Sequence, residues 1–437
     1  MSAHSPVFRM SHPASNPTAA LNLPLDALPA HCDVLIVGAG PAGCAAAITL
    51  AGAGFDVVLI DQHAFPRDKV CGDGLIPDAH QALRRLGLLD AVLARARSVR
   101  HVAVIGPRGG RIDVPGTLAV LPRRELDWML CQAAVEAGAR MHAPVRFVST
   151  LEEGDGDSRR VVGAMVRAGD TSRQVHATWV LIASGAPPQA LMSAQMCERR
   201  TPTGVALRGY VKNPAMVDRI TELEVVWHPR MKRGYGWIFP GPDGVFNIGV
   251  GVSHSHAKGG DSGQTMQDIN LRAMFDEFTR VHPAARDLVA GGEWVGELKG
   301  APLRCSLRGA RLSRPGLLVT GEAAGSTYAF TGEGIGKALE TGLAAADVLI
   351  DGRSRQLPES QVRTTYEQKV RVLAPRYEMY DKANIVNMHP WLVDLVVWSA
   401  KRSPSRLRRM TGLLEETHLP SSLLSVRSWM RLLFVHT

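Results

Sequence analysis

Three glycines, Gly38, Gly40 and Gly43, follow the apolar run Asp33-Val34-Leu35-Ile36-Val37. Their types and spacing suit one task, holding a pyrophosphate. Gly38 permits a tight turn, Gly40 lets backbone N–H groups approach phosphate oxygens, and Gly43 lets the next helix sit close to the strand. Pro41 and Ala42 open that helix, with its positive N-terminal end toward the anion. A second apolar run, Val57-Val58-Leu59-Ile60, ends on Asp61, a carboxylate placed to accept hydrogen bonds from a ribose.

A third apolar strand, Leu317-Leu318-Val319, runs into Gly321 and Glu322, and Thr331-Gly332-Glu333-Gly334-Ile335-Gly336 then opens another helix. An acid after that strand can bind the hydroxyls of a ribityl chain. Gly332, Gly334 and Ile335 can offer N–H groups to a ring edge that gains negative charge on reduction. A nicotinamide dinucleotide does not require this second site, whereas FAD does. FAD is the expected cofactor. No second pyrophosphate fingerprint is present, so NAD(P)H is expected only as a transient electron donor.

These residues need a scaffold of strands and helices separated in sequence. The expected fold is α/β: a discontinuous Rossmann-type FAD-binding domain (32–99 with 121–188 and 300–352) and an inserted, mostly antiparallel β-sheet substrate domain (100–120 with 200–299). A mobile tail (1–31) precedes them and a helical region (353–437) follows, with Pro375, Pro390, Pro404 and Pro420 expected to divide the latter into short helices. A helix over 266–282 is expected beside the sheet. In the run Tyr235-Gly236-Trp237-Ile238-Phe239-Pro240, alternate residues share a face, so Tyr235, Trp237 and Phe239 point the same way.

The chain has 437 residues, is 45% hydrophobic and carries a net charge of +9. That is enough to bury a large core and to attract anionic partners. No basic stripe is interleaved with aromatics, so no nucleic acid partner is expected. Six scattered cysteines without a C-x-x-C pair favour a reducing, cytoplasmic setting and no metal centre. His254-Ser255-His256 reads as solvent loop. Arg402, Arg406, Arg408 and Arg409 near Leu413, Leu414, Trp429 and Phe434 allow two accounts: a helical cap on the substrate domain, or peripheral contact with the inner face of a membrane. The oligomeric state is left open.

The chain resembles the geranylgeranyl reductase family of FAD-dependent oxidoreductases, which shares the fold of p-hydroxybenzoate hydroxylase, over residues 33–350. Beyond the glycine motifs, the resemblance rests on Phe65-Pro66-Arg67-Asp68-Lys69-Val70-Cys71-Gly72, on Arg123-Arg124-Glu125-Leu126-Asp127 and on the Tyr235–Pro240 run. It implies that Arg67, Cys71, Gly72 and Arg123 lie at FAD, and that Tyr235, Trp237 and Phe239 line a cavity for a hydrophobic small molecule. It also implies that Cys71 stands beside both the flavin and an alkene, where its thiol could give a proton. The plainer account of a lone cysteine is an inert core residue. Four positions depart from the family pattern: Glu322 for Asp, Ala329 for Pro, Ser184 where hydroxylases carry Asp, and Asp73 within Cys-Gly-Asp-Gly. Asp73 could be a second proton donor, but is expected rather to cap the helix that follows it, over 78–86, or to meet Lys69 or Arg67.

The expected function is reduction of C=C bonds in a prenyl- or polyene-type substrate with NAD(P)H-derived hydride via FAD. The alternative is an FAD-dependent monooxygenase or halogenase acting on an aromatic metabolite with O2. A third reading is a non-catalytic FAD-holding or membrane-associated scaffold.

Overall fold

The computed structural model describes residues 17–231, 233–253 and 269–417. Two sheets stand side by side. The first has the strand order Ser313–Arg314, Leu317–Val319, Thr171–Ile182, His31–Val37, Val57–Ile60, Arg140–His142. Its central neighbours are parallel, with Val34 opposite both Val57 and Trp179. Val34 to Val37 and Val57 to Ile60 are buried, as unbroken β-branched and leucine runs require when helices cover one face and further strands the other.

The helix Pro41–Gly52 is built almost wholly of small residues, and Cys44, Ala45, Ala46 and Ala47 have no exposed surface. The reason lies in its neighbours, the helices Arg123–Glu136 and Ile335–Ser354. A Cβ on Gly342 would stand 2.2 Å from the carbonyl oxygen of Ala42, so these two helices touch backbone to backbone. This contact carries the start of the Ile335–Ser354 helix to the glycine turn some 300 residues earlier in the chain.

The second sheet runs Glu293–Trp294, Gly204–Lys212, Val245–Ser253, Gly234–Pro240, Leu223–Val226, Arg97–Ile105, Arg111–Val120, Gly74–Leu75, with Lys299–Leu303 also on Gly204–Lys212. All its pairs are antiparallel except Leu223–Val226 with Arg97–Ile105. One face is covered by the helix Leu271–Val281, through Met274, Phe275 and Phe278. Gly236 makes room for the Phe278 ring, 2.5 Å from its would-be Cβ. The other face is left for a cavity. Because Lys299–Leu303 stays in this sheet, the chain rejoins the first sheet only at Ser313–Arg314, later than the expected boundary at 300.

Three further expectations change. Residues 17–31 are not a free tail: Leu21, Leu25 and Leu28 are buried, and the Asn22 amide bonds the backbone N–H and C=O of Phe65, each at 2.8 Å. Residues 1–16 lie outside the described residues. Pro375 does not end a helix; it sits within Glu359–Ala383, whose Tyr366, Tyr377 and Tyr380 anchor it by packing that outweighs the local propensity. The helix expected over 266–282 is seen as Leu271–Val281, while 266–268 and His254-Ser255-His256 lie outside the described residues, as do Pro420, Trp429 and Phe434.

The helices Trp391–Arg402 and Pro404–Leu414 lie on the strands Arg97–Ile105 and Arg111–Val120. Asp394 interrupts an apolar run because its Oδ1 accepts the Arg108 backbone N–H at 3.2 Å over the turn that contains Gly106. Among the described residues no helix is long and apolar enough to cross a membrane.

Replacing Gly342 with valine should force the two packed helices apart. The expected cost is about 3 kcal/mol, the upper end of the overpacking range. A lowered midpoint in a thermal melt would show it, and an unchanged midpoint would rule out the backbone contact.

Candidate active site

The glycine turn is fixed by clashes that only glycine avoids. Gly38 has φ +109, and a Cβ there would lie 2.4 Å from the Ala183 carbonyl oxygen. A Cβ on Gly43 would lie 1.9 Å from the Gly38 oxygen. Gly40 differs: its would-be Cβ meets only Nη2 of Arg67 and Nη2 of Arg123, each at 3.8 Å. Gly40 is therefore small for the sake of what occupies the cavity and not for the fold.

Asp61 is already employed. Its Oδ2 accepts the Ala39 N–H at 3.0 Å and its Oδ1 the His63 N–H at 2.9 Å, with Arg67 Nη2 at 3.5 Å. Arg67 and Arg123 converge on Asp127, which has no exposed surface. Arg123 binds it in a fork (2.7 and 2.8 Å) and Arg67 through Nη1 at 3.0 Å. Burial works against both guanidiniums, but Asp127, joined by Asp61 at Arg67, holds them above the ordinary arginine range. Asp127 and Asp61 balance the two guanidiniums, whose Nη2 atoms still stand beside Gly40 and the helix N-terminus as donors. That combination suits a pyrophosphate. Nearby, Ser184 Oγ is buried with no hydrogen-bond partner among the described residues, a polar atom left for a ligand. The residues present thus fit FAD.

A cavity of about 440 Å³ begins at this turn and extends over the free face of the second sheet. Gly38, Gly40, Pro41, Ala42, Asp61, Arg67, Cys71, Gly72, Arg123, Glu322, Gly332, Gly334 and Ile335 all line it, as do Tyr235, Trp237 and Phe239. Gly43 and Gly321 do not. Gly43 serves the strand–helix contact, and Gly321, at φ +64, makes room for the Ala42 methyl 2.6 Å from its would-be Cβ.

The Cys71 loop is held from the sheet below. The Cys71 carbonyl accepts from Asn247 Nδ2 at 2.7 Å and from Arg208 Nε at 3.3 Å. Asn247 also donates to Asp73 Oδ2 at 2.7 Å and accepts from Trp237 Nε1 at 2.9 Å, while Tyr210 donates to Asp73 at 2.6 Å. Asp73 Oδ1 takes the Arg123 backbone N–H at 3.2 Å. Asp73 therefore caps the first N–H of the helix Arg123–Glu136, not the helix Pro77–Arg85 that follows it in sequence, and meets neither Lys69 nor Arg67, because the left-handed backbone at Asp73 (φ +65) turns its side chain under the loop. Burial raises its carboxyl to about 6, against the pull of those donors. Burial likewise pushes the Cys71 thiol above its ordinary value, with Arg123 pulling the other way, so near neutral pH the sulfur carries its proton.

Other departures from the family pattern are compensated. The loop at Ala329 is held by Ser253 Oγ, which bonds the Ala329 carbonyl, and by the Tyr328 N–H to Glu333 O at 2.9 Å. Glu322 takes the Arg304 N–H at 3.4 Å and approaches Lys69 at 3.9 Å. Behind the second glycine block, Lys337 is 2% exposed and pairs with Asp78, Glu340 and Glu416 at 3.4, 2.8 and 2.9 Å. Burial, then Asp78 and Glu416, push the cavity-lining Glu333 up to about 8. Sequence reasoning passed over Asn247, Tyr210 and Arg208. Asn247 left one trace, a single amide within the apolar strand Val245–Ser253. Trp227 and Phe330, which stack at 6.1 Å against the cavity, left none.

Fold and site together define an FAD-dependent oxidoreductase, and residues 31–205 match the FAD binding domain family. The chain is 32% identical over 337 residues to the menaquinone reductase of Mycolicibacterium smegmatis, covering 74% of this chain and 77% of the relative. It is 28% identical over 323 residues to digeranylgeranylglycerophospholipid reductase 1 of Methanopyrus kandleri, covering 73% and 80%. The crystal structure of a geranylgeranyl bacteriochlorophyll reductase-like protein from Thermoplasma acidophilum shares the fold, with a TM-score of 0.71 over 92% of this chain and 95% of that one, at 21% identity. The chain belongs to the geranylgeranyl reductase family of FAD-dependent oxidoreductases.

Gly40→Val should purify as a folded protein, with a melting midpoint near that of the parent, yet without yellow colour. The valine fills the path of the pyrophosphate and disturbs no backbone. A normal flavin absorbance in that variant would place the cofactor elsewhere.

Proposed function

We propose that this flavoenzyme saturates a C=C bond in the isoprenoid chain of a hydrophobic lipid or quinone, using electrons from NAD(P)H. The observation that carries the reading is the continuity of one cavity. It runs from the arginine-flanked glycine turn, past Cys71, to a wall of Trp227, Tyr235, Trp237, Phe239 and Phe330 and on to Val393, Val396 and Leu414 of the C-terminal helices. Its far end is apolar and narrow in chemistry, suited to a hydrocarbon chain. The two relatives named above support the same class, since menaquinone and digeranylgeranylglycerophospholipid both carry isoprenoid chains.

FAD, when bound, supplies the hydride for one alkene carbon. The protein does the rest. Arg67, Arg123 and the N-terminus of the Pro41–Gly52 helix hold the pyrophosphate, and Asp61 holds the ribose. Glu322 would hold the ribityl hydroxyls, while Gly332, Gly334 and Ile335 at the positive end of the Ile335–Ser354 helix would stabilise the charge that the flavin gains on reduction. The aromatic wall excludes water and confines the chain. Cys71 Sγ holds the proton for the second alkene carbon and regains one from solvent, so that NAD(P)H, one proton and C=C become NAD(P)+ and CH–CH. A thiol kept protonated by burial suits this task better than an ionised one.

The test is anaerobic. The enzyme is reduced, then mixed with a geranylgeranyl lipid, and flavin reoxidation is followed with loss of the alkene. Reoxidation with saturation is expected. A flavin that stays reduced until oxygen enters would replace this reading with a monooxygenase or halogenase. Cys71→Ala should keep FAD and lose about 10²–10⁴-fold in the saturation rate, the range for a positioned general acid. An unaltered rate would return Cys71 to a packing role.

A further inference from the structure

Five of the nine exposed large apolar side chains among the described residues fall within 385–398: Ile385, Met388, Trp391, Leu395 and Trp398. Trp391, Leu395 and Trp398 recur at helical spacing, so they form one outward stripe on the helix Trp391–Arg402, at 56, 38 and 42% exposure. The inner side of the same helix is spent differently. Val393 and Val397 are buried, and Val393 and Val396 line the apolar end of the cavity together with Met410 and Leu414 of the next helix.

The charge around the stripe is one-sided. Residues 384–414 carry five cations and one carboxylate, and that carboxylate, Asp394, is turned inward onto the Arg108 backbone. Of these cations Lys401, Arg402 and Arg408 are exposed, and the Arg402 guanidinium lies 4.3 Å over the Trp398 ring. Tryptophans beside exposed cations are the pattern that settles at the headgroup level of an anionic bilayer. A protein partner would call for no such single sign of charge, nor for a hydrocarbon cavity directly behind the contact.

We propose that this face docks the enzyme on an anionic lipid bilayer, with Trp391 and Trp398 as interfacial anchors and the surrounding lysine and arginines facing the lipid phosphates. The apolar end of the cavity is then held against the bilayer in which an isoprenoid substrate resides. The use of the surface rests on the substrate class proposed above, whereas the surface itself does not.

The experiment is co-sedimentation of the FAD-loaded protein with vesicles of phosphatidylglycerol and phosphatidylcholine, or of phosphatidylcholine alone, neither containing an isoprenoid. Binding to the anionic vesicles, weakened by salt, is expected. Trp391→Ala with Trp398→Ala should lower the partition by roughly tenfold or more, given the area the two rings would bury. Lys401→Glu with Arg402→Glu should abolish the preference for anionic lipid. Both pairs should still reoxidise flavin with a short isoprenoid alcohol in detergent but slow on substrate embedded in vesicles. The proposal fails if the parent protein stays in the supernatant, or if it sediments equally well after the tryptophan changes. It also fails if those changes only convert a dimer to a monomer, which would assign the face to a second copy of the chain. Vesicle binding as expected with no reaction on any isoprenoid would leave the docking surface standing and remove the substrate class.

Discussion

Everything in the site hangs on how closely backbone approaches backbone at the first turn. Gly43 meets the Gly38 carbonyl where no side chain fits, and Gly342 meets the Ala42 carbonyl in the same way. The first contact aims the start of the helix Pro41–Gly52 into the cavity. The second clamps the helix Ile335–Ser354 to it, so that two helix N-termini from opposite ends of the sequence open into one cavity. Close packing leaves no slack for either to move independently.

Charge is then arranged on that frame in compensated groups. Asp127 and Asp61 hold Arg67 and Arg123 in place, with one Nη2 of each beside Gly40. Asp73, deeply buried, is tolerated because Tyr210, Asn247 and the Arg123 N–H all donate to it. Through Asn247 the same network reaches the Cys71 carbonyl and the Trp237 indole. The loop that presents the thiol and the aromatic that faces the cavity are therefore positioned by one amide. Lys337 plays the corresponding part behind the second glycine block, where it offsets Asp78 and Glu416.

The second sheet divides its two faces by alternation. Gly236 and Ile238 turn toward Phe278 and the covering helix, and Tyr235, Trp237 and Phe239 turn toward the cavity. Gly249 admits the Trp237 ring, whose Cζ2 lies 2.3 Å from the would-be Cβ. The C-terminal helices close the far end of this face and turn a tryptophan-bearing stripe outward, which joins the cavity wall and the outer surface in one element.

The sequence by itself determined the parts governed by local rules. The strand–glycine–helix units, Asp61, and the period-two aromatic run were all legible, because turn sterics, helix dipoles and strand pleat act over a few residues. So was FAD as the cofactor, since two glycine-rich helix starts serve a flavin and one would serve NAD. Tertiary structure alone decided what depends on contacts across hundreds of residues. It alone showed that Asp73 caps the helix after Arg123, that Asn247 carries the Cys71 loop and that Gly43 and Gly321 serve packing. It alone showed that Pro375 rides inside a helix anchored by three tyrosines, and that residues 21–28 are pinned to the sheet edge. A buried carboxylate or amide is defined by the donors that reach it, and those donors come together only when the chain has folded.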